Sequence, residues 1–175
     1  MSTLLIVIGG LPGTGKTSLA RGLARALGAV HLRIDTIEQA LRSATMGSDA
    51  LGAAGYVVAY GVAADNLALD RTVVADAVNP RASIRAAWRD VARRAAVAIV
   101  EVEVICSDVA EHRRRVASRS ADIPGLKLPT WDEIQRRAYE PWTGAHLVVD
   151  TAQREEEQSV TELYALLLAR ERAVR

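Results

Sequence analysis

Residues Gly10-Leu11-Pro12-Gly13-Thr14-Gly15-Lys16-Thr17 fill every fixed position of the pattern G-x-x-x-x-G-K-[ST]. These residue types suit a chain of phosphates, which crowds several negative charges together and needs many donors at short range. Glycines at 10, 13 and 15 let the backbone turn tightly, so that successive N–H groups point inward as a nest. A helix starting at the end of the turn adds its positive dipole end. Lys16 then supplies a mobile point charge for the β and γ phosphates, and the Thr17 hydroxyl suits the oxygen shell of Mg²⁺. Leu11, Pro12, Thr14 and Ser18 complete the candidate nucleotide-binding stretch, which an apolar run, Leu4 to Ile8, precedes. Lysine occurs at 16 and 127 and nowhere else, so the motif takes one of two lysines in the chain.

Other residues could act beside such a loop. A carboxylate near an incoming hydroxyl can take its proton as a new bond forms. Asp35 closes the second apolar run and is the best placed; it is also a favoured cap for a helix beginning at Thr36, and the two roles are compatible. Asp76 closes the run Val73-Val74-Ala75. It is a candidate to orient a Mg²⁺-bound water or the substrate, or to end its strand in a turn with Asn79. The carboxyl ends of parallel strands line the ligand crevice, which favours the site role. Arg115 and Arg119 are four apart and would share one helix face, where they could close over a transferring phosphoryl group. His31, His112 and His146 are scattered and show no metal-ligand spacing.

Apolar runs of strand length alternate with helical patterns, which predicts a parallel sheet covered by helices. Strands are expected over 3–9, 29–34, 72–75, 97–106 and 146–149. Helices are expected over 16–27 with Gly28 as C-cap, over 36–44, up to about Asp70, after an Asn79 cap with Pro80 in the first turn, through Arg113-Arg114-Arg115, after Thr130, and from Glu155 to the C-terminus. The stretch 43–55 is rich in Gly, Ala and Ser and reads as a mobile cover. Residues 120–129 read as irregular. Trp88 reads as packing, and Trp131 and Trp142 as seats for the short helix after Thr130.

Composition bounds the rest. The chain has 175 residues, enough for one domain with a sizeable core. The 22 basic and 21 acidic residues give no electrostatic case for a dedicated nucleic-acid or membrane-surface binder. No apolar stretch approaches the roughly 20 residues that span a bilayer. The single cysteine, Cys106, reads as a buried structural thiol in a reducing, cytoplasmic setting.

The loop, Asp35 after the second strand, Val73 to Asp76, the Arg-rich helix with the segment beyond it, and Asp150-Thr151 after the last strand together resemble the small P-loop kinases. That group includes gluconate kinase, chloramphenicol phosphotransferase and the kinase domain of polynucleotide kinase. The resemblance covers nearly the whole chain. It implies a single three-layer α/β domain over residues 1–175, strand order 2-3-1-4-5, and a lid at about 119–140. It implies an ATP- and Mg²⁺-dependent transfer of the γ-phosphoryl group to a small-molecule hydroxyl. Lys16, Asp35, Arg115 and Arg119 would be catalytic, Thr17 and Asp76 would organise the metal, and Arg119 and Thr151 would join the loop in holding nucleotide, with Thr151 bordering the adenine. The Asn-Lys-x-Asp guanine motif is absent, and Ala77 follows Asp76 where dedicated ATPases carry Glu, so transfer is favoured over hydrolysis. Glu38 stands where polynucleotide-type kinases carry an Arg that holds an acceptor phosphate, which disfavours a phosphorylated acceptor. The acceptor is expected between the helices of residues 36–70, near Met46, Asp49, Tyr56, Tyr60, Asp65 and Asn66, the tyrosines being open to a core role. The alternatives are a nucleoside or nucleotide kinase, and a nucleotide-binding module such as the toxin of a toxin–antitoxin pair. Monomer and homodimer are both open.

Overall fold

The computed structural model describes residues 2–44 and 53–174, with side chains to residue 170. Five parallel strands, β1 (Leu4–Gly9), β2 (Val30–Arg33), β3 (Val73–Asp76), β4 (Ala98–Ile105) and β5 (Leu147–Asp150), form one sheet in the order β2-β3-β1-β4-β5. The helices are α1 (Lys16–Leu27), α2 (Ile34–Ala44), α3 (Ala54–Ala68), α4 (Ala82–Arg94), α5 (Val109–Ser118), α6 (Trp131–Gln135) and α7 (Glu156–Val174). Both the three-layer architecture and the strand order are those expected.

The central strand is apolar on both faces because helices cover both. Leu4, Ile6 and Ile8 pack with Leu19 and Leu23 of α1 and Leu163 and Leu167 of α7. Leu5 and Val7 pack with Ala59 and Ala63 of α3 and Trp88 and Val91 of α4. The same alternation puts Val74 of β3 on the α1 face and Val73 and Ala75 on the other. Asp76 therefore emerges on the α1 face, in register with Ile8 and Arg33. Helix α1 stops at Gly28, whose φ of 61° lets its N–H reach back to the Ala24 and Arg25 carbonyls. Thr130 and Glu133 form a reciprocal capping box on α6.

Two helix starts differ from expectation. Helix α2 begins at Ile34, so Asp35 lies in its first turn and does not cap a helix at Thr36. Ile34 is 2% exposed, and burying that side chain draws it into the helix. Helix α4 begins at Ala82 after an extended Arg81, so Pro80 precedes the helix and Asn79 does not cap it. The Asn79 side chain is committed elsewhere: Nδ2 donates to Ile8 O at 2.9 Å, and Oδ1 accepts from Trp88 Nε1 at 3.0 Å. Asn79 is fully buried, and this hub joins β1 to α4 beneath the glycine loop. Among the described residues no helix is long and apolar enough to cross a membrane.

Candidate functional site

Strand β1 delivers the chain to the loop, and α1 takes it away. Gly10, Gly13 and Gly15 adopt φ of 143°, 87° and 88°, values that L side chains rarely reach. Gly15 occupies the N-cap of α1 with no side-chain cap, so the amides at the helix start are not consumed by a capping side chain. The loop is held from three directions. Gly10 N donates to Val78 O at 3.2 Å, tying it to the end of β3. His112 Nε2 of α5 lies 2.9 Å from Pro12 O; a carbonyl only accepts, so that nitrogen carries the hydrogen. The Thr151 hydroxyl lies 2.8 Å from Thr14 O and 3.1 Å from Ile105 O, clamping the loop to β4.

Lys16 is 7% exposed. Burial pushes its ammonium below the ordinary lysine range, while the Asp76 and Asp35 carboxylates act against that shift. Asp76 is 1% exposed, with Oδ2 3.3 Å from His31 Nε2 and Oδ1 without a hydrogen-bond partner. Burial raises its affinity for a proton, but the His31 hydrogen bond, the Lys16 charge and the Thr17 hydroxyl outweigh burial, so the carboxyl sits below its ordinary range. Asp35 is about one-third exposed, and its Oδ2 lies 3.9 Å from Arg33 Nη2.

Two cavities flank the loop. One, of about 290 Å³, is lined by Lys16, Thr17, Ser18, Asp35, Arg115 and Arg119, among others. The other, of about 230 Å³, lies towards β5 and is lined by Gly13, Gly15, Ser18, Arg115 and Thr151, among others. Thus the residues singled out in the sequence converge on one end of the sheet, with Asp35 after β2 and Thr151 after β5 on opposite sides of the loop.

Arg119 N still donates to Arg115 O at 3.2 Å, so the two arginines stand one turn apart and both line the larger cavity, but their guanidinium groups part. Arg119 is the extended C-cap of α5, one residue past its end. Arg115 Nη1 donates to Thr151 Oγ1 at 2.9 Å and Nη2 to Thr151 O at 2.8 Å, and it also pairs with Glu111. Its guanidinium is therefore pinned at the β5 side. Arg119 makes one long contact, Nη2 to Pro129 O at 3.4 Å, and its buried Nε has no partner. Burial lowers its pKa, opposed by Asp35.

A sequence model of the AAA domain family matches residues 5–141, well over half the chain. The chain belongs to the AAA domain family. Within that family its fold is the P-loop NTPase fold, and solved structures agree. The Mycobacterium tuberculosis APS kinase CysC in complex with AMPPNP and APS is similar at a TM-score of 0.69 and 22% identity, over 95% of this chain and 98% of that one. A gluconokinase from Sinorhizobium meliloti 1021 is similar at 0.68 and 21%, over 97% and 94%. Chaetomium thermophilum Kti12 in complex with ADP-AlF3 is similar at 0.67 and 21%, over 92% and 97%. No curated protein sequence matches significantly. The resemblance drawn from the glycine loop and strand ends is thus borne out in family and fold.

Several residues at the site of this AAA-domain chain are not announced by the sequence. His31 reaches Asp76, and His112 reaches the loop while its ring meets Trp131 edge-on at 5.1 Å. Asp122, in the irregular segment after α5, accepts from Arg33 Nη1 at 2.8 Å and Nη2 at 3.0 Å and from Arg21 Nη2 at 2.9 Å. The Arg33 and Arg21 hydrogen bonds hold its carboxyl down to about 2. Of the expected acceptor residues, Met46 and Asp49 lie outside the described residues. Asp65 and Asn66 lie in the last turns of α3, which lead into the N-terminal edge of β3, away from the loop. Tyr56 OH accepts from Asn79 N at 3.1 Å, and Tyr60 packs edge-on against Trp88 at 4.6 Å. Both rings belong to the core between α3 and α4. The Trp142 ring lies over Gly9, with the Arg85 guanidinium 4.9 Å from its centre.

Proposed function

We propose that this chain is a kinase that binds ATP with Mg²⁺ and transfers the γ-phosphoryl group to a hydroxyl of a small molecule. The observation that carries the reading is that one cavity brings Lys16 and Thr17 of the phosphate loop together with the Asp35 carboxylate. A phosphate chain seated on the loop would present its last phosphorus towards Asp35. The acceptor O–H proton passes to Asp35 as the new O–P bond forms, and the bond from the γ phosphorus to the bridging oxygen breaks to release ADP. Arg119, with no strong partner of its own, is placed to meet the charge on the moving phosphoryl group. Arg115, fixed by Thr151, is placed at the nucleotide on the β5 side.

The residues present fit a magnesium ion. A buried carboxylate kept ionised by His31, Lys16 and the Thr17 hydroxyl, with one oxygen unpartnered, together with that hydroxyl is a hard-oxygen donor set. Thr17 would hold the ion directly and Asp76 through its water. Among the described residues no three His, Cys, Asp or Glu side chains cluster as metal ligands, so phosphates and water would complete the shell. The ion would neutralise charge on the β and γ phosphates.

In this reading residues 1–175 work as one domain in the cytoplasm, and 119–140 act as a lid whose clasp is Asp122 on Arg33 and Arg21. The clasp contribution is fully present above the ordinary carboxyl pKa and is lost progressively as pH falls from there through about 2, so it is constant at neutral pH. Salt should loosen it. In Asp122→Ala, amide exchange across residues 120–129 should speed up by about fivefold at low salt, and high salt should bring the wild type towards the variant. Unchanged exchange would remove the clasp.

Glu38 stands where an acceptor phosphate would need a cation, and it pairs at 3.2 Å with the next cation, Arg42, which supports an unphosphorylated acceptor. The direct test is ADP release with a panel of sugars, nucleosides, amino alcohols and hydroxyl-bearing antibiotics. At least one should be phosphorylated, and Asp35→Asn should lower kcat on it by about 10²-fold with nucleotide affinity unchanged. Undiminished turnover in Asp35→Asn would remove the base assignment. ADP release with no compound of the panel would remove the small-molecule reading.

A further inference from the structure

We propose that His31 is a positioning residue for the divalent cation: it holds one oxygen of Asp76 so that the other, buried and unpartnered, is left for the cation's water shell. The inference rests on the magnesium reading above. Strand pairing brings these groups together. Strand β2 is the sheet edge next to β3, with Arg33 in register with Asp76 and His31 with Val74. Leu32 and Val30 pack on the α3 and α4 face, so His31 and Arg33 point to the α1 face, where Asp76 also emerges.

The two residues on that face then part. The Arg33 guanidinium turns to Asp122, whereas the His31 ring stays over Asp76, Nε2 to Oδ2 at 3.3 Å. An ionised carboxylate can only accept, so Nε2 must carry the hydrogen. That donation fixes how the carboxylate is rotated about its last bond. The other oxygen, Oδ1, is buried without a partner, which is costly in a finished core. It is the arrangement expected of a group waiting for a hydrated cation. Donors behind metal-organising carboxylates typically set metal affinity by about 10- to 100-fold when removed. A purely structural His31 would stabilise the fold without bearing on the cation, and the two roles give different measurements.

The test uses Mn²⁺ as the probe, with its binding to the ADP complex of the intact protein followed by electron paramagnetic resonance. His31→Ala should weaken Mn²⁺ binding about tenfold, with ADP affinity in the absence of metal unchanged. His31→Gln, whose amide can still donate to Oδ2, should recover most of the loss. Should His31→Ala not fold, His31→Asn, too short to span the gap, must show the same tenfold weakening. Asp76→Asn separates the two levels of the argument. If it weakens Mn²⁺ while the His31 variants bind within twofold of wild type, the positioning role is overturned and the metal site stands. If Asp76→Asn also leaves Mn²⁺ binding unchanged, the metal site itself is overturned, and His31 with it.

Discussion

Lys16→Ala is expected to lower phosphoryl transfer by about 10³-fold or more while leaving the protein folded. The two halves of that expectation come from one fact, the burial of the ammonium. In the free protein Lys16 is 7% exposed, and desolvation works against its charge. Asp76 and Asp35 return part of that cost. Removing the side chain therefore relieves a penalty and loses an attraction, and the melting temperature should stay within a few degrees of wild type. With a triphosphate on the loop the balance is different. The ammonium then faces several phosphate oxygens in a site that excludes water, where a fixed positive charge is most effective. Lys16→Arg should not restore activity, because a planar fork cannot occupy the space of a compact point charge at the start of α1. The measurements are ADP release, nucleotide binding by calorimetry and thermal denaturation. If Lys16→Ala binds ATP and transfers phosphate normally, the loop is not the phosphate site and the roles given to Thr17, Asp35 and Asp76 have no basis.

Features written in neighbouring residues were legible in the sequence. The loop is eight consecutive residues, the α1 stop is a glycine after a leucine ladder, and the α6 start is a Thr and a Glu three apart. The strand order followed from a resemblance, and the place of Asp76 at the site from its position at the carboxyl end of a parallel strand. What was not legible is carried by pairs far apart in the chain. His31 meets Asp76 across 45 residues, Asp122 meets Arg33 across 89 and Arg21 across 101, and His112 meets Pro12 across 100. No local pattern marks such residues. A lone His on an edge strand gains its meaning from which neighbour the sheet supplies. Asn79 shows the opposite error. Before a proline it has the look of a helix cap, yet the carbonyl of Ile8 and the indole of Trp88 compete for its side chain and win. An amide in a dry core is worth more satisfying two buried partners than one amide at an exposed helix start.

Three glycines separate the backbone cost of the loop from its packing cost. Gly10, Gly13 and Gly28 all have positive φ, at 143°, 87° and 61°, so alanine is strained at each. Their surroundings differ. A Cβ at Gly28 meets nothing within 4 Å, so Gly28→Ala carries only the left-handed penalty, about 1 kcal/mol. A Cβ at Gly13 comes 2.5 Å from Val116 Cγ2, a side-chain carbon of a buried α5 residue, so α5 must give but no sheet backbone has to. A Cβ at Gly10 comes 2.3 Å from the backbone oxygen of Val104. That oxygen belongs to β4, which pairs with β1 on one side and β5 on the other, so it cannot retreat without breaking the sheet. Gly10→Ala should therefore cost about 3 kcal/mol or more, strain and clash together. At about 2–4 °C per kcal/mol that is a fall of roughly 6–12 °C in Tm. It should also abolish nucleotide binding, because the first turn of the nest can no longer close. The expected order of Tm loss is Gly10→Ala, then Gly13→Ala, then Gly28→Ala, with nucleotide binding unaffected in the last. Equal losses at all three would mean that strain alone sets the cost and that β4 does not press on the loop.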